Sequence, residues 1–194
     1  MKTKLICFEG PNGVGKSTIL NRLMECFNLD GIPCRTFKDS EYLEMIEVRR
    51  NIRAGIISEP WKIVGAVAQA RGQVYLRYLD LRDESGFIFL DRGYYTSAVL
   101  QYQEDLPIFR VIEENLKLGI PIPDQTVILM ALLDVLVKRI AERERNELNK
   151  YSSEFLIKQI GGYSEIAKNY HECSLIDNSG SIDLTMGKIK EMFK

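Results

Sequence analysis

Short apolar runs alternate along this chain with longer stretches in which apolar positions recur every three or four residues. "KLICFE" (4–9) has the pattern of a buried strand. Leu20, Leu23, Met24 and Phe27 then fall at helical spacing, and the "DG" at Asp30 and Gly31 ends that helix. "PCRTF" (33–37) predicts a second strand. A long helix is expected after "SEP" (58–60), carrying Trp61, Val64, Val67, Ala68, Tyr75, Tyr78 and Leu79, and "ESG" breaks it. "FIFLD" (87–91) predicts a third strand, "TVILM" (126–130) a fourth and "SLID" (174–177) a weaker fifth. Such alternation predicts an α/β fold: a parallel sheet of about five strands with helices on both faces. There is no repeat, low-complexity segment or linker, so one domain over 1–194 is expected.

Composition narrows the function. A chain of 194 residues, 45% hydrophobic, is long enough to bury a sizeable core. Its net charge of −1 gives no reason to expect binding to nucleic acid or anionic membrane. No apolar run approaches the length of a membrane span, and the N-terminus lacks the pattern of a signal peptide. Cys7, Cys26, Cys34 and Cys173 form no CxxC pair, which suits reduced thiols in a cytoplasmic protein. A single histidine, His171, leaves no basis for a histidine metal site or a Ser-His-Asp triad.

The chemistry begins at "FEGPNGVGKST" (8–18), between the first strand and the first helix. Gly10, Gly15, Lys16 and Ser17 match G-x-x-x-x-G-K-[ST], the phosphate-binding loop. With Asn12, Gly13 and Val14 inside it and Thr18 after it, such a loop curls backbone N–H groups into an anion cradle. The helix that follows points its positive end at the same place. Lys16 can reach the β- and γ-phosphates of ATP, and the Ser17 hydroxyl can ligate Mg²⁺. At the end of the third strand, Asp91 is a candidate Mg²⁺ ligand, and Arg92 can bridge donor and acceptor phosphates. A GTPase would carry N-K-x-D, but "NKYS" (149–152) has Ser152 in the last place. A small phosphotransferase is therefore favoured.

In order along the chain, these segments resemble the thymidylate kinase family of nucleoside monophosphate kinases. Residues 8–17 match its F-E-G-x-[DE]-G-x-G-K-[ST] loop except at Asn12. "QARGQ" (69–73) resembles its A-D-R-A-Q segment, and "DRGYYTSAVLQ" (91–101) its D-R-Y-x-x-S-S-x-A-Y-Q. "PDQTVILMALLDVLVKRIAERER" (123–145) resembles the P-D strand and the helix leading to an arginine-bearing lid, and "LIDNSGSID" (175–183) the adenine-side loop. The resemblance implies a three-layer P-loop fold with a lid at about 141–153. It implies ATP and Mg²⁺ as cofactors, a (deoxy)pyrimidine monophosphate such as dTMP as acceptor, and a homodimer. It places Arg71 and Arg92 at the acceptor phosphate, Ser97 toward the acceptor base and Gln101 at the end of its motif. It also makes Arg143 or Arg145 the catalytic arginine of the lid.

The departures cluster on the acceptor side. Asn12 replaces a carboxylate, and R-E-P after the second strand is replaced by "TFKDS" (36–40), with Phe37 and Lys38 as substitutes. Val67 stands where an aromatic stacks on thymine, Ala70 where the aspartate of A-D-R falls, and Gly93 and Leu100 where tyrosines fall. A small-molecule or modified-nucleotide kinase with an altered acceptor is thus an alternative. A non-catalytic ATP-binding regulator is an alternative of another class.

Overall fold

The computed structural model describes residues 3–79, 86–101, 106–143 and 152–193. Each apolar run forms a strand: β1 (Lys4–Glu9), β2 (Cys34–Phe37), β3 (Phe87–Asp91), β4 (Gln125–Met130) and β5 (Cys173–Asp177). They pair in parallel in the order β2-β3-β1-β4-β5. Pro33 stays outside β2, yet its carbonyl still accepts from the Phe87 amide at 3.0 Å. The weakly patterned fifth strand runs the full register against β4, from Thr126↔Cys173 to Met130↔Asp177.

Eight α-helices accompany the strands among the described residues: α1 (Lys16–Leu29), α2 (Leu43–Arg53), α3 (Pro60–Tyr78), α4 (Tyr94–Gln101), α5 (Ile108–Leu116), α6 (Leu133–Arg143), α7 (Ser153–Asn169) and α8 (Ile182–Met192). Helix α1 stops where the "DG" signal predicts. Gly31 takes φ 67°, the Ile32 amide reaches back to the Phe27 carbonyl and the Gly31 amide to that of Asn28. This is a Schellman closure, which favours glycine. Helix α7 is capped by Ser152, whose side chain accepts from the Phe155 amide at 3.2 Å.

Alternate strand residues enter two separate cores, as the two-residue period of a strand requires. Leu5, Cys7, Ile88, Leu90 and Ile128 pack with α2, α3, α4, α5 and the Tyr163–Ile166 turn of α7. Ile6, Phe8, Phe89, Val127 and Leu129 pack with α1, Leu136 of α6, Leu156 of α7 and α8. The sheet is covered on both faces, so its central strands are apolar at nearly every position. This is the three-layer α/β architecture expected. No helix among the described residues is long and apolar enough to cross a membrane.

Candidate active site

Strand β1 lies mid-sheet between β3 and β4, and Phe8 is in register with Asp91. The loop after β1 and the chain leaving β3 therefore emerge side by side at the carboxyl edge of the sheet, where ligands bind in such folds. Gly10 is held at φ 137° with the Leu129 carbonyl so close that any Cβ would collide with it. Val14 is fully buried beneath the loop. The Asn178 side chain donates to the Val14 carbonyl at 2.7 Å, and Arg139 donates to the Asn178 carbonyl at 2.8 Å. Lys16 Nζ donates to the Gly10 and Pro11 carbonyls at 2.8 and 2.9 Å. Burial, with Arg92 adding to it, holds this ammonium's pKa well below the ordinary lysine value.

A cavity of about 500 Å³ opens over the loop. Its walls include Asn12, Gly13, Gly15, Lys16, Ser17 and Thr18 from the loop, and Asp91 and Arg92 from the end of β3. Most of the predicted phosphate-side residues thus meet in one place. Asn178 and Ile182 of the segment resembling the adenine-side loop also line it, together with two residues that sequence reasoning did not single out, Arg139 and Ile140 of α6. Arg139 sits inside "VKRIAER", where nothing in the local pattern separates it from the neighbouring charges.

Arg92 has a left-handed backbone, φ 74°, which is uncommon for a residue with a side chain. Its Nη2 donates to Asn12 Oδ1 at 2.7 Å, and its Nη1 to Thr96 Oγ1 at 3.0 Å and the Gly10 carbonyl at 3.3 Å. Lys38 Nζ lies 3.4 Å from Asp91 Oδ2 and also lines the cavity. Phe37 does not. It is buried between Tyr42, stacked at 5.2 Å, and Tyr75, edge-on at 5.4 Å. Consecutive residues at a strand end face opposite ways, so Lys38 rather than Phe37 reaches the phosphate side.

Arg71 and Ser97 are brought together, but away from the cavity walls. Arg71 donates from Nε to Asp39 Oδ2 at 2.6 Å, from Nη1 to Asn115 Oδ1 at 2.8 Å and from Nη2 to Ser97 Oγ at 3.0 Å. The arginine is only 2% exposed, so this network is closed in. Gln101 ends α4 with its side-chain oxygen buried and without a partner among the described residues. Arg143 is the last residue of α6, and its side chain and Arg145 lie outside the described residues, as does most of the expected lid.

Behind the loop, Glu9 is fully buried. It accepts from the Gly93 amide at 2.8 Å, the Thr96 amide at 3.1 Å, the Thr96 hydroxyl and the Tyr163 hydroxyl at 3.2 Å. Burial raises its pKa, while Thr96 and Arg92 pull the other way. Gly93 is explained here too: a Cβ would sit 3.1 Å from Cys7 Sγ, leaving no room for a tyrosine without rearrangement. Sequence reasoning did not single out Glu9, although it lies within the quoted loop motif. The donor set also fits Mg²⁺. Ser17 and Asp91 supply hard oxygens to one cavity, and Mg²⁺ usually takes one or two such ligands, filling the rest with phosphate oxygens and water.

Residues 8–189 match the family model described as "Thymidylate kinase". Over 148 residues the chain is 30% identical to a thymidylate kinase of Leptospira borgpetersenii, covering 75% of this chain and 72% of that one. It is 28% identical over 191 residues to a probable thymidylate kinase of Methanobrevibacter smithii, covering 96% and 92%. The fold matches a crystal structure of thymidylate kinase from Ehrlichia chaffeensis with a TM-score of 0.71 at 18% identity, covering 100% of this chain and 99% of that one. A thymidylate kinase from Candida albicans superposes with a TM-score of 0.72, also at 18% identity, covering 99% and 91%.

Proposed function

The chain belongs to the thymidylate kinase family, ATP-dependent phosphotransferases, and on that premise we propose that it passes the γ-phosphoryl of ATP to a deoxypyrimidine monophosphate, dTMP foremost. The observation that carries this is the convergence of Lys16, Ser17, Asp91 and Arg92 on one cavity at the carboxyl edge of the sheet.

Transfer of this kind needs positioning and charge neutralisation more than covalent chemistry. The loop amides and Lys16 hold the ATP phosphates. Lys16 must leave the Gly10 and Pro11 carbonyls to do so; burial and Arg92 depress its pKa, and an anionic partner favours its charged form. Arg92 faces the phosphate side, held by Asn12 and Thr96, and bridges donor and acceptor. Lys38 adds a second cation for the acceptor phosphate where the family's R-E-P is missing. Ser17 and Asp91 would hold Mg²⁺, which would supply charge neutralisation to the phosphates. Arg143 or Arg145 serves as the lid arginine. No nucleophile or base from the protein is required.

The altered acceptor side supports relaxed selectivity. Arg71 is engaged by Asp39, and Val67 offers no aromatic face, where base stacking on an aromatic is worth about 1–3 kcal/mol. The test is kcat/KM for thymidine, deoxyuridine, uridine and deoxycytidine monophosphates side by side. Transfer to several pyrimidine monophosphates is expected, and absence of transfer to all of them overturns the proposal. A homodimer is supported by a largely apolar groove between the C-terminal half of α3 and the turn after α5, lined by Leu76, Leu79 and Leu118 with Tyr75. Four free cysteines are consistent with a cytoplasmic setting.

A further inference from the structure

We propose that Gln159 is a positioning residue for the transfer: from α7 it fixes the backbone of Asn12 and, through the Asn12 side chain, the guanidinium of Arg92. The inference rests on the kinase reading above. Gln159 lies 147 positions from Asn12 in the chain, yet its Oε1 accepts from the Asn12 amide at 2.9 Å. Asn12 Oδ1 in turn accepts from Arg92 Nη2 at 2.7 Å. One turn further along α7, the Tyr163 hydroxyl lies 3.4 Å from Arg92 Nη1 and 2.9 Å from Thr96 Oγ1. Positions four apart share a helix face. The same face of α7 thus holds the phosphate loop at one point and the arginine's support at another.

Packing alone does not account for a glutamine at this position. Gln159 is 1% exposed, and its Nε2 is buried with no hydrogen-bond partner among the described residues. An orphaned buried donor costs more than one ordinary hydrogen bond returns, so the side chain is not a net source of fold stability. A leucine or methionine of similar size would fill the same space without that penalty. What only the glutamine provides is an acceptor aimed at the Asn12 amide. That contact sets how far Asn12 projects toward Arg92, and Arg92 is the group proposed to bridge the two phosphates. A small displacement of such a group is costly to the rate even when binding survives.

The experiment compares the full-length protein with Gln159→Leu, Gln159→Met, Asn12→Ala and the Gln159→Leu/Asn12→Ala double variant. For both Gln159 variants, kcat should fall about 10–100-fold, since a misplacement of about 1 Å can cost about 10²-fold in rate. The Kd for an unreactive ATP analogue should stay within about threefold, and the melting temperature should not fall. The double variant should be little slower than Asn12→Ala, because both changes act through one contact chain. An unchanged kcat, or losses that add in the double variant, would overturn the proposal. Absence of transfer by the unmodified protein would overturn the kinase reading and the catalytic half of this one. Hydrogen exchange at the Asn12 amide, independent of activity, should be faster in Gln159→Leu, and an unchanged rate would show that Gln159 does not hold the loop.

Discussion

Two buried carboxyl groups, Asp39 and Glu9, give residue-scale predictions that differ in kind. Asp39 and Arg71 form an ion pair with both side chains under 5% exposed, and Asn115 and Ser97 each accept one further bond from the guanidinium. Removing one partner strands the other, so Asp39→Ala should lower stability by about 3–5 kcal/mol, read as the midpoint of urea unfolding. A loss below about 1 kcal/mol would mean that Arg71 finds water or another anion. Glu9 behaves differently, because burial raises its folded-state pKa. Its favourable contribution is present below the unfolded value, about 4.3, and is lost as pH rises through the higher folded value. Glu9→Gln removes that dependence, so its stability should improve relative to the parent as pH climbs from the carboxylate range to neutrality. Urea midpoints of the two proteins across that range check it; a gap that moves the other way would show that Thr96, Gly93 and Arg92 hold the ionised form.

At the element scale, α6 and α7 bracket the segment in which the catalytic arginine is proposed. Helix α6 places Arg139 at the cavity and ends at Arg143. Arg143→Ala and Arg145→Ala should differ sharply. One should lose a large part of kcat, arginine fingers being worth about 10³–10⁵ in related chemistry, while ATP binding stays nearly intact. Full activity in both would remove this stretch from the catalytic machinery. The strands and α3 were legible because their apolar spacing is strong. Helix α2 was not: "LEMIEVRRNIR" buries only Met45 and Val48, so its charged positions mask the period. Helix α7 hides its role for another reason, since Gln159 and Tyr163 look like ordinary positions until the helix packs against the loop.

The cavity draws its walls from five separated parts of the chain, so it exists only in the folded molecule. Any ligand held there must stabilise the whole fold by mass action. An unreactive ATP analogue at 100 times its dissociation constant should add about 2.7 kcal/mol. Lys16→Met should abolish transfer and most of that shift, while the unliganded protein melts near the parent temperature. Unfolding of the variant at room temperature would show that Lys16 is needed for the fold and not only for the phosphates.

The five apolar runs that form strands, the helix stop at Gly31 and the phosphate loop were all decided by the sequence itself, whereas the order of the strands in the sheet was not. Each depends on residues within a few positions of one another, and periodicity and loop chemistry are local. Lys38 beside Asp91, Arg71 enclosed by Asp39, Asn115 and Ser97, and Gln159 beneath Asn12 were decided only by the tertiary structure. These pairs are 26 to 147 positions apart, and no local pattern encodes them. They follow from where the helices settle over the two faces of the sheet, which depends on the packing of both cores at once.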